Sequence, residues 1–102
     1  MLIPSEKILK RTLMLSLAGT RGGFARLNIL LMLERKPSNI NEIAKNLSID
    51  YKTAQHHIRV LEKSGLIVSS GKKYGNNYEL SALLKINKNM LKEISSNMGK
   101  SK

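Results

Sequence analysis

Two helix-start signals fall close together in the middle of this chain, and they constrain its fold more than any other feature. The first is Asn39-Ile40-Asn41-Glu42. It has the pattern of a capping box, in which the Asn side chain accepts from an early helix N–H and the Glu reaches back, just ahead of Ile43, Ala44 and Leu47. Ser48-Ile49 leaves room only for a tight turn before Asp50, which is placed to cap a fourth helix running through Ser64 and stopped by Gly65. Two helices joined by about three or four residues form a helix-turn-helix.

The flanking sequence is consistent with that centre. Ile8, Leu9, Leu13, Leu15 and Leu17, mixed with Lys7, Lys10 and Arg11, predict an amphipathic helix from about Ser5 to Ala18, opened by Pro4 and Ser5. Gly19, Gly22 and Gly23 interrupt it. A second helix, Phe24 to Arg35, is apolar on most of its circumference and belongs at the core, and Pro37 closes it. After Gly65 the period changes. Leu66-Ile67-Val68 and Tyr78-Glu79-Leu80 bracket a polar run, Ser69 to Asn77, with Gly71 and Gly75, which predicts a β-hairpin tipped by Lys72, Lys73 and Tyr74. Ser81 can cap a last helix carrying Leu83, Leu84, Ile86, Met90, Leu91, Ile94 and Met98. The expected fold is mainly α (α+β), a winged helix-turn-helix of about five helices and a two-stranded wing. It is expected to form a single domain over residues 1–95, with a frayed polar tail at 96–102.

Composition narrows the partners. At 102 residues and 41% hydrophobic content the chain has enough for one core and no second domain of ordinary size. Eighteen Lys and Arg against seven Asp and Glu give a formal charge of +11, so the expected partner is a polyanion. No stretch approaches the ~20 apolar residues of a membrane span, and no charged-then-apolar leader opens the chain. A soluble, cytoplasmic, nucleoid-associated protein is therefore expected, with no membrane partner. The chain has no cysteine, which excludes disulfides and thiolate metal sites, and no cofactor or metal is expected. One Phe, three Tyr and no Trp are too few for an aromatic platform that stacks single-stranded bases, so duplex DNA is favoured.

The run Ala25-Arg26-Leu27, Asn41-Glu42-Ile43-Ala44, Tyr51-Lys52-Thr53-Ala54-Gln55-His56-His57-Ile58, Val60-Leu61-Glu62-Lys63-Ser64-Gly65-Leu66-Ile67 and Tyr78-Glu79-Leu80-Ser81 resembles the ArsR-type winged helix-turn-helix regulators. The likeness is greatest to small archaeal members. It implies that the fourth helix enters the major groove, that the hairpin is the wing, and that the terminal helices make a two-fold dimer. The metal-sensing members of that family use a cysteine motif. This chain has none, and metal-responsive release from DNA is not expected.

At 100° per residue, Lys52, Gln55, His56 and Arg59 share one face of the fourth helix, and Ala54, His57, Ile58 and Leu61 the opposite one. Gln can grip adenine bidentately, and Arg or Lys can grip guanine. Tyr51 and Thr53, at the N-terminus, are candidates for phosphate contacts. His57 reads as a structural, hydrogen-bonded His, and His56 as a DNA contact. Lys72 and Lys73 are either a wing that touches phosphate or solubilising charges. Arg26 is either a surface cation or a DNA backbone clamp, and the resemblance favours the clamp. Ile8, Leu9 and Leu13 near one end, with Met90, Leu91, Ile94 and Met98 near the other, exceed what the central helices can cover. They are read as a dimer seam in preference to intramolecular core.

The functional expectation is a sequence-specific, homodimeric transcriptional regulator on double-stranded DNA, with any small-molecule effector unknown. Two other readings remain at this level. One is an architectural, chromatin-like protein with little sequence preference. The other is a winged helix that binds protein and touches DNA little, which the charge opposes. Catalysis is not expected, because there is no Ser-His-Asp or Cys-His set, no phosphate-binding glycine loop and no paired carboxylates in a plausible pocket.

Overall fold

In the computed structural model, which describes residues 4–18, 21–70 and 76–100, the helix that is apolar on most of its circumference takes the centre. The elements are α1 (Pro4–Leu17), α2 (Gly23–Arg35), α3 (Ile40–Leu47), α4 (Tyr51–Lys63), β1 (Ile67–Ser69), β2 (Tyr78–Leu80), α5 (Ala82–Ile86) and α6 (Lys88–Lys100). Leu27, Ile29, Leu30 and Leu33 of α2 are buried. Around them pack α1, α3, α4 and β2, so α2 supplies the surface against which the helix-turn-helix is set. The expected winged helix-turn-helix architecture is the one observed.

Local chemistry accounts for the helix-turn-helix. The Asn39 side chain accepts from the Glu42 N–H at 2.8 Å and Glu42 Oε1 accepts from the Asn39 N–H at 3.0 Å, which completes the capping box. At the other end of α3, Ile49 N–H donates to the Ala44 carbonyl and Ser48 N–H to that of Lys45, with Ser48 left-handed at φ 55°. This is a Schellman closure with serine where glycine is usual. Asp50 then caps α4 by accepting from the Thr53 N–H at 3.2 Å. The C-terminus of α4 repeats the closure: Leu66 donates to the Leu61 carbonyl and Gly65 to that of Glu62, with Gly65 at φ 76°. Leu61 and Leu66 are both fully buried, so the turn that ends α4 also seats the wing on the core.

The wing pairs antiparallel, Ile67 with Leu80, Val68 with Glu79 and Ser69 with Tyr78. The sequence reading missed a third participant. Buried Ser38, in the extended stretch after α2, forms an isolated bridge with Tyr78 through reciprocal hydrogen bonds of 3.1 and 2.8 Å, so β2 is paired on both sides there. The expected hairpin tip, Lys72, Lys73 and Tyr74, lies outside the described residues.

Three expectations about the chain ends are corrected. The single last helix is two, α5 and α6, because the Asn87 side chain donates to the Leu83 carbonyl at 2.9 Å and the backbone leaves helical geometry there (ψ 35°). Among the described residues this makes six helices in place of about five. Residues 96–100, expected in a frayed tail, continue α6, because Met98 lies one turn beyond Ile94 and is buried with it.

The third correction is to the dimer seam. Leu9, Leu13, Leu91, Ile94 and Met98 are all buried within the single chain. α1 and α6 pack on one another, and the core of this one chain covers the side chains expected to be left over. Met90 is partly buried against the same core, and of the seven only Ile8 is exposed, at 67%. A seam built from terminal helices therefore has to use their outer faces, where α1 presents Ile8 and Leu15 nearly two turns apart.

Candidate nucleic-acid interface

α4 sorts its residues by burial as its periodicity requires. Ala54, His57, Ile58 and Leu61 are buried, while Tyr51, Lys52, Thr53, His56 and Arg59 are exposed and Gln55 is half-buried. Lys52 and Arg59 are nearly two turns apart and occupy the crest of the exposed face. Tyr51 and Gln55 lie to one side of them, Thr53 and His56 to the other.

The first side looks onto a groove of about 290 Å³ lined by Asn39, Ile40, Asn41, Tyr51, Gln55, Asn76 and Tyr78. Among the described residues its polar groups are amides and phenols, and no charged side chain lines it. Such a surface can donate and accept without fixing a charge. Asn41, Asn76 and Tyr78 were not foreseen as part of a site. The only signals in the sequence were an aromatic opening the return strand and a second Asn in the capping box. Burial pushes the Tyr78 phenol above its usual value, the Glu62 and Tyr51 charges add to this, and Arg59 opposes it. The phenol is therefore protonated, and it lies within electrostatic reach of three α4 side chains.

Thr53 and His56, on the second side, wall a separate cavity with Arg21, Gly22, Arg26 and His57. The expectation for Arg26 is corrected here, because this side chain is only 8% exposed and is held inside the fold. Its Nε donates to the Ser16 carbonyl at 2.9 Å and its Nη1 to His57 Nδ1 at 3.2 Å, so it ties the end of α1 and the start of α2 to the core face of α4. It is no clamp reaching out to a DNA backbone. An arginine can only donate, so His57 accepts at Nδ1 and is neutral. Burial first, then the charges of Arg26 and His56, hold its imidazole below the usual 6.5. Gly22 makes this junction possible. A Cβ there would lie 2.6 Å from His57 Cε1 and 2.7 Å from Arg26 Nη1.

At the start of α4, hydrogen bonds from Thr53, its side chain foremost, hold the Asp50 carboxyl below the usual carboxylate range, so the cap is ionised at neutral pH. Among the described residues no group of three His, Asp or Glu could hold a metal ion. No described helix is long and apolar enough to cross a membrane.

A short helix set across a second one, its outer face polar and exposed, with a β-hairpin beside it, defines a winged helix-turn-helix protein. Residues 25–69 match the family profile described as "Bacterial regulatory protein, arsR family". Over that span the chain is similar to the helix-turn-helix unit of the arsR family, as the sequence motifs implied.

Solved structures agree on the fold. The homodimeric winged helix-turn-helix DNA-binding domain of a possible ArsR-family transcriptional regulator from Mycobacterium bovis superposes with a TM-score of 0.69 at 17% identity, covering 91% of this chain and 83% of that one. HlyU from Vibrio cholerae gives 0.70 at 20% identity, with 91% and 97% covered. The transcriptional regulator HlyU from Vibrio vulnificus gives 0.66 at 24% identity, with 90% of each chain covered. A comparison with curated protein sequences found no match.

Proposed function

We propose that this protein is a transcription regulator that binds double-stranded DNA as a homodimer, reading sequence with α4 in the major groove and holding the backbone with its basic wing. The observation that carries the reading is the division of α4. Its buried face is locked to the core by Ala54, Ile58 and Leu61, and its outer face presents Lys52, Gln55, His56 and Arg59 on a rigid, doubly capped helix. A charge of +11 supplies sequence-independent attraction to phosphate, and the α4 side chains supply discrimination. The match to a family of regulatory proteins supports the same reading, and so does the likeness to a domain described as homodimeric and DNA-binding.

Selecting bound duplexes from a random library tests it, followed by alanine substitution. Gln55→Ala and Arg59→Ala should each cost about 1–3 kcal/mol on the selected site and much less on random duplex. Equal losses on both duplexes would make these residues phosphate contacts. Uniform footprints with no selected sequence would favour an architectural DNA-coating role. If neither substitution changes binding, α4 is not the reader.

A further inference from the structure

Arg21, Gly22, Arg26, Thr53, His56 and His57 line an open surface cavity of about 410 Å³ between the start of α2 and the flank of α4. Among the described residues, every titratable side chain in its wall is a base and no carboxylate belongs to it. Arg21 and His56 are exposed and Thr53 offers a hydroxyl beside them, while Arg26 and His57 are buried and hydrogen-bonded to one another. The bare Gly22 backbone keeps the buried pair against the cavity, since a Cβ would strike both partners.

We infer that this cavity is a seat for one phosphate-class oxyanion, bound by Arg21, Thr53 and His56 and attracted by the positive charge of Arg26 behind them. A planar guanidinium, a hydroxyl and an imidazole N–H together suit an anion with several oxygens, because each donor can take a different one. With a water occupying ~30 Å³, the space holds such an ion and bridging waters. The electrostatics agree. Burial is the first cause that holds His57 neutral, and the charges of Arg26 and His56 that add to it are those an anion would offset, so occupancy raises the pH at which His57 protonates. The groups facing His57 are Arg26 from α2 and His56 on α4 itself, with Arg21 across the cavity.

Two sources carry this chemistry. One is a backbone phosphate of a duplex lying on α4, a role that rests on the function proposed above, since Thr53 and His56 belong to the exposed face. The other is a free phosphate or phosphate ester, which would then compete with DNA for the seat.

The test follows amide and imidazole resonances of the full chain as inorganic phosphate replaces chloride at constant ionic strength. The expected result is a saturable response centred on Gly22, Thr53, His56 and His57, a raised His57 pKa at saturation, and binding weakened about tenfold in Arg21→Gln and in His56→Gln. Arg21 and His56 are exposed, so both variants should keep the fold. In parallel, the salt dependence of binding to random duplex is measured for wild type and Arg21→Gln. A slope lower by about one in the variant, with phosphate competing, assigns the seat to the DNA backbone. An unchanged slope with the phosphate response intact assigns it to a free anion. A diffuse response like that to chloride, or variants that bind phosphate as wild type does, would overturn the seat even if duplex binding falls. A wild type that binds phosphate but no duplex would sink the proposed function and leave the seat standing.

Discussion

At the scale of single residues, the telling contrast is between His56 and His57, neighbours in sequence whose rings stand 5.5 Å apart in different surroundings. His56 is exposed. His57 is 7% exposed and accepts from Arg26, so folding favours its neutral form and lowers its pKa from 6.5. The unfolded chain thus binds more protons between the folded value and 6.5, and stability rises with pH across that window. The contribution is whole above about pH 6.5 and is lost as pH falls through the folded value. Urea titrations from pH 7.5 downward should show this loss in the wild type and a shallower pH dependence in His57→Gln. An equal pH dependence in both would mean that the histidine carries none of it. The core-facing position of His57 was legible from helical periodicity alone. The fate of Arg26 was not, because nothing local to Ala25-Arg26-Leu27 reveals that a Ser16 carbonyl and an imidazole far along the chain meet it in the interior.

At the scale of elements, what could be read from the sequence is what local chemistry decides. Asn39, Glu42 and Asp50 cap where expected because a cap closes within three residues, and Gly65 ends α4 because the turn needs a left-handed residue. The break at Asn87 escaped because Asn is an ordinary, if unfavourable, helix residue until its amide captures the Leu83 carbonyl. The Ser38 bridge escaped because one paired residue leaves no period to detect. The polar groove also escaped, since it forms only when the capping box, α4 and the return strand converge. For the wing, Lys72 and Lys73 are proposed as phosphate contacts. Replacing both by Ala should weaken binding to selected and random duplexes alike and reduce the salt slope by up to about two. A slope that does not move would leave them as solubilising charges.

For the whole molecule, the burial of Leu91 and Ile94 changes how dimerisation should be tested. Acidic residues at these positions would place charge in the core of the single chain and unfold it. The informative positions are Ile8 and Leu15, exposed at 67% and 69% on one side of α1. If the proposed dimer uses that face, Ile8→Glu with Leu15→Glu should give a folded monomer by sedimentation and helical content, with sharply weaker binding to an inverted-repeat site, since only one half-site can be held at a time. A double variant that remains dimeric would move the seam elsewhere on the surface. A wild type that is monomeric at micromolar concentration would remove dimerisation from the proposal.

The bridge between Ser38 and Tyr78 has a consequence for the DNA that such a regulator would prefer. β2 is tied by hydrogen bonds both to β1 and to the chain segment that leads into α3, which restrains the base of the wing against the helix-turn-helix. The protein would then act as a caliper with a fixed gap. Inserting one base pair between the bases touched by α4 and the flank touched by the wing moves the flank by ~3.4 Å along the duplex and also turns it about the axis. A hinged wing would follow that displacement, but this one would lose its grip, so selected sites should tolerate changes in flanking sequence far better than changes in flank spacing.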